Sequence, residues 1–136
     1  MRRLSLLLLL LAACGSPTEP SHPTLKFENG VVFGIPTIPI TAVPGTGTIV
    51  VSGVIQTVTG GFSLFGDFHV GPANALTVKV DVYLTGPGFN FTTQNFYRAS
   101  VGSLPPGDYD VSVIHVLHDP APVRTQQAFR GTVHVN

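Results

Sequence analysis

Leu104-Pro105-Pro106-Gly107-Asp108-Tyr109-Asp110-Val111-Ser112-Val113 is the stretch from which the fold of this chain can be read. Pro105 and Pro106 lack the N–H that a central ladder position needs, and Gly107 opens backbone angles closed to other residues. Beyond them Tyr109, Val111 and Val113 alternate with Asp110 and Ser112, the period of a strand with one buried face. A tight corner is therefore expected to feed a core strand, with Leu104, Gly107 and Tyr109 as its structural residues.

Outward from this corner the same period recurs. Leu76, Val78, Val80, Val82 and Leu84 are expected to face inward while Thr77, Lys79, Asp81, Tyr83 and Thr85 face water, the cleanest alternation in the chain. Ile49 to Ile55 is apolar on both faces, as in a strand near the middle of a sheet. Phe62 to Val70 alternates too, and Thr59-Gly60-Gly61 before it signals a hairpin with the preceding strand. Leu25 to Phe33 reads as a broken edge strand around Asn29-Gly30, and Tyr97, Ala99 and Val101 lead into the corner. Phe129, Gly131, Val133 and Val135 close the chain, and setting Val133 opposite Val111 places Asp110 beside His134 on the solvent face. Pro36, Pro39 and Pro44 exclude a central strand between Gly34 and Gly45, which reads as an edge crossing or irregular loop. No segment shows a helical period. The expectation is an all-β fold: one antiparallel, seven-stranded, two-sheet sandwich spanning residues 24–136.

Leu-x-Pro-Gly-x-Tyr-x-Val, carried here by Leu104, Pro106, Gly107, Tyr109 and Val111, resembles the tyrosine corner of immunoglobulin-like and fibronectin-type sandwiches. That resemblance implies an inward Tyr109 whose hydroxyl bonds to upstream backbone. The same motif is similar to the corner of transthyretin-like domains, which implies the alternative strand order. It bears on fold and carries no activity.

The amino terminus has a different character. Arg2 and Arg3 precede an apolar run, Leu6 to Leu11, far short of the roughly 20 residues a membrane-spanning helix needs. Small residues follow, the layout of an export signal over residues 1–13. Leu11-Ala12-Ala13-Cys14 resembles the lipobox of bacterial lipoproteins, which implies lipidation of Cys14 (palmitate or a similar acyl chain) and a membrane anchor. Gly15, where the sorting rule of that family looks for Asp, implies the outer membrane, facing the periplasm or the surface. Residues 14–23, rich in Pro and Ser, read as the lipidated cysteine and a flexible tether. With a single cysteine in the chain no intramolecular disulfide can form, so the apolar core must hold the fold.

Without Arg2 and Arg3, five basic side chains face seven acidic ones, which leaves no basic patch for nucleic acid. Charged residues make up only 10% of the chain, so Thr, Ser, Asn, Gln and Gly must cover much of its surface. His115-x-x-His118-Asp119 has the residue types of a metal site, yet positions three apart on a strand point to opposite faces. Gly61-Phe62-Ser63-Leu64-Phe65 lacks the last glycine of a nucleophile elbow, and the aspartates are scattered over turns and outward positions. No catalytic residue, cofactor or metal ligand is therefore assigned. Phe89, Phe91, Phe96 and Tyr97, interleaved with amides and hydroxyls, are the candidate ligand-contact aromatics, with plugging of the sandwich end as the plainer alternative. The expected function is that of a non-catalytic, lipid-anchored cell-envelope module acting by protein contact in adhesion, assembly or scaffolding, or alternatively by binding a carbohydrate or small ligand.

Overall fold

The structure, a computed structural model, describes residues 21–32, 38–57, 61–85, 92–119 and 121–136. Alternating apolar side chains fold into eight strands: β1 (Thr24–Val32), β2 (Thr41–Gly45), β3 (Thr48–Thr57), β4 (Phe62–Val70), β5 (Ala75–Leu84), β6 (Thr93–Gly102), β7 (Gly107–Leu117) and β8 (Arg124–Val135). They form two four-stranded sheets, ordered β1-β6-β3-β2 and β4-β5-β7-β8. Every second residue of the central strands turns to the space between the sheets. Val51 on β3, Val78 and Val80 on β5, Ala99 on β6, and Val111 and Val113 on β7 are completely buried there. The protein is a two-sheet β-sandwich.

Among the described residues eight strands stand where seven were expected. The additional one is β2, at the edge of its sheet, where Pro44 pairs with Ile49 and its missing N–H costs no ladder bond. The pairing is also not antiparallel throughout. Strands β5 and β7 run parallel from Ala75↔Asp110 to Val82↔Leu117, with β6 in the opposite sheet serving as the crossover a parallel pair requires.

The hairpin expected between β3 and β4 does not form, because β3 has both edges occupied by β2 and β6 and β4 enters the other sheet. Its partner is β5, reached through Gly71-Pro72-Ala73-Asn74, where Gly71 N–H donates to the Ala75 carbonyl at 2.8 Å. Leu84, expected inside, is 40% exposed because it lies beyond Val82, where the buried layer of β5 ends.

In the last pair, Tyr109 lies opposite Val133, Val111 opposite Gly131 and Asp110 opposite Thr132. The side-chain parity is as expected. The register differs by two residues, so the neighbour of His134 is Asp108. Periodicity reports which face a residue takes; the connecting loop sets how far the strands slide. A bulge between Val113 and Ile114 adds Ala128 to β8, so Phe129 faces Val113 while Gln127 faces Ile114.

The corner closes one end of the sandwich. Leu104 N–H donates to the Gly47 carbonyl at 3.0 Å, and Gly47 N–H to the Asn136 carbonyl at 3.3 Å, joining the corner, the β2–β3 turn and the end of β8.

Candidate functional site

Each residue singled out from the sequence has a definite place or lies outside the described residues. Cys14, Phe89 and Phe91 are among the latter. Tyr109 is buried and its hydroxyl donates to the Pro105 carbonyl at 2.9 Å, while Leu104 is buried beside it. Gly107 has φ +148°, a conformation that side-chain-bearing residues rarely adopt. Phe96 and Tyr97 part company by strand parity. Phe96 points out, 37% exposed, lining a groove of about 470 Å³ on the outer face of the β1-β6-β3-β2 sheet. Its ring lies over Gly30, where a Cβ would come within 2.6 Å of Phe96 Cε1. Tyr97 points in and is buried, stacked at 6.2 Å on Phe27.

The histidines separate in the same way. His115 is buried, and its Nε2 lies 2.9 Å from the Tyr97 hydroxyl. Gly53 makes room for this pair: a Cβ there would sit 2.6 Å from Tyr97 Oη. Burial pushes the His115 pKa down to about 4 and the Tyr97 phenol up, so both are neutral near pH 7. Thr57, Thr93 and Asn95 form a second buried polar group, with Thr57 Oγ1 2.7 Å from Thr93 Oγ1 and accepting from Asn95 Nδ2 at 3.2 Å. Among the described residues no group of three or more His, Cys, Asp or Glu could hold a metal ion.

His118 reaches the outer face of the other sheet and joins a cluster there. Its ring stacks on Tyr83, with centroids 4.0 Å apart and planes 8° from parallel. Its Nε2 lies 2.8 Å from Asp81 Oδ1, and Lys79 Nζ is 3.1 Å from Asp81 Oδ2 and 4.0 Å from Asp67. Burial tends to raise the Asp81 pKa, but the hydrogen bonds from His118 and Lys79 and the Lys79 charge outweigh it, so the carboxyl is held below its ordinary value. The Asp81 contacts in turn raise the Lys79 pKa. Phe65 meets Tyr83 edge-on at 5.8 Å and is 58% exposed, while Tyr83 is 38% exposed. Asp119 accepts from the Leu84 backbone N–H at 3.2 Å at the end of the same strand. Asp67 and Asp81 thus flank Lys79 on the strands that carry the two exposed rings, and Asp119 sits at the end of β5.

Comparison with protein-family models, with curated proteins and with solved structures finds no match for this chain. Geometry is therefore the guide to the site. The Phe65–Tyr83–His118 cluster was not singled out from the sequence, although a signal was present. Phe65 sits between Ser63 and Asp67, and Tyr83 follows Asp81, so both rings occupy the polar phase of their strands. An aromatic on the wet side of two strands asks for an explanation more than one among loop amides does. That β4, β5 and the end of β7 lie side by side is a fact of sheet order, which periodicity does not carry.

Proposed function

We propose that the chain is a non-catalytic module of a bacterial cell envelope, lipid-anchored through Cys14 and acting by protein contact through the outer face of its β4-β5-β7-β8 sheet. The supporting observation is the exposed Phe65–Tyr83 pair, in which the Tyr83 ring is stacked on His118 and His118 is tied in turn to Asp81. Rings fixed before binding lose little freedom on contact, which is the property of an interface anchor. With Asp67 and Asp81 on the same strands and Asp119 at the end of β5, against Lys79, this region is locally acidic and aromatic. Its complement is a protein loop presenting arginine or lysine, whose cation can lie over a ring while pairing with a carboxylate. The anchor itself rests on the leucine run and Leu11-Ala12-Ala13-Cys14, and Gly15 at the sorting position favours the outer membrane.

Two experiments divide the proposal. Labelled fatty acid should enter the wild-type protein and not Cys14→Ala; equal labelling of both would defeat the anchor. A photo-crosslinking residue at position 65 should capture a discrete protein on intact cells, and one at Val43 on the opposite sheet should not. Equal capture from both positions, or none from position 65, would remove this face from the account.

A further inference from the structure

Strand β2 covers only half of β3: its pairing runs from Thr41↔Ser52 to Gly45↔Thr48. Beyond Ser52 that edge of β3 is left without a β2 partner, and a cleft of about 460 Å³ opens there between the sheets. On the facing strand, the bulge at Ala128 reverses the phase of β8. Odd-numbered Phe129, Gly131, Val133 and Val135 take the inward phase below it, whereas above it Gln126 pairs with inward His115. Ala128 and Gln126 thereby line the cleft, across from Val54, Ile55 and Gln56 of β3. His115, more than nine-tenths buried, forms part of the floor.

The chemistry of this lining is specific. Among the described residues no Asp, Glu, Lys or Arg contributes to it. The walls are aliphatic, the rim carries two carboxamides that both donate and accept, and the floor carries an imidazole tied to the Tyr97 hydroxyl. A volume of this size suits a compact organic molecule. An anion entering it would shed water with no cation to receive it, whereas an uncharged molecule with one hydroxyl or carbonyl could satisfy that group at the glutamines.

We infer that the half-covered β2 edge, the Ala128 bulge and buried His115 form a binding site for a small, uncharged, largely apolar molecule bearing one hydrogen-bonding group. The site is separate from the Phe65–Tyr83 face and goes beyond the contact function proposed for it.

The test uses the full-length protein in lipid nanodiscs, reading the His115 ring resonances at neutral pH as naphthol or naphthoate is added. These probes share a ring system and differ in charge. Naphthol should shift the His115 signals saturably, and naphthoate should bind roughly tenfold or more weakly because its carboxylate must be desolvated unpaired. Ala128→Trp should abolish the response by filling the cleft. Val54→Trp, at the half-buried lip of the cleft, provides the same block should the first variant fail to fold, and Phe65→Ser should leave binding unchanged. A response that never saturates, that persists in Val54→Trp, or that is equally strong for naphthoate would overturn the assignment. Loss of the Phe65 cross-link with naphthol binding intact would count against the contact face alone.

Discussion

Tyr109 is an apolar ring in the core with one polar atom, and that atom is satisfied by Pro105 four residues upstream. Removing the hydroxyl leaves the carbonyl short of a partner and the corner without its tie. Tyr109→Phe should therefore cost on the order of 1 to 3 kcal/mol in urea unfolding, and an unchanged midpoint would show that the tie is dispensable. His115 imposes a pH dependence. Its folded pKa of about 4 lies below the ordinary 6.5, so between those values the unfolded chain binds more protons than the folded one. Its contribution is intact above about pH 6.5 and is lost as pH falls toward 4, by up to about 3 kcal/mol. The facing group is neutral Tyr97, which supplies no charge to oppose this. Comparing the pH dependence of unfolding free energy in wild type and His115→Gln isolates the effect, and identical curves would refute it.

Strand β4 places neighbouring residues in opposite worlds. Leu64 is buried between the sheets and Phe65 stands in solvent. Leu64→Ala should cost about 2 to 5 kcal/mol, whereas Phe65→Ser should change stability by about 0.5 kcal/mol or less while removing the contact proposed for that face. Equal losses from both would mean that Phe65 packs as core. The edges of the sheets are managed with small devices. Two backbone groups of β4 are taken by side chains: Asn29 Nδ2 donates to the Leu64 carbonyl at 3.2 Å, and Asp67 Oδ1 accepts from Phe68 N–H at 2.8 Å. Such covering makes the edge of β4 a poorer template for strand addition, which directs contact toward the sheet face.

Across the whole molecule, β1 joins β6 from Thr24↔Gly102 to Val32↔Gln94, and a parallel pair closes only after β6 has crossed to the other sheet. Contacts so distant in sequence require large loops to close before they stabilise anything, so refolding should take milliseconds to seconds by stopped flow. A microsecond phase completing the fold would contradict this topology. Stability rests on the core, since the chain has one cysteine, and reductant should leave the thermal midpoint where it was. A downward shift would reveal a disulfide between chains.

The sequence by itself determined which face of a strand is buried wherever no bulge interrupts it, because an unbroken pleat alternates its side chains. That rule separates His115 from His118 and Phe96 from Tyr97, and it also puts Phe65 and Tyr83 on the wet side. Only the tertiary structure decided which strands are neighbours: β4 with β5 instead of β3, β5 parallel to β7, and a short β2 that leaves a cleft open above it. The reason is physical. Burial of apolar area is a local, directionless demand, satisfied by any partner of the right parity. Register and strand order are settled by loop lengths, a bulge and the number of free edges, which no single stretch of residues contains.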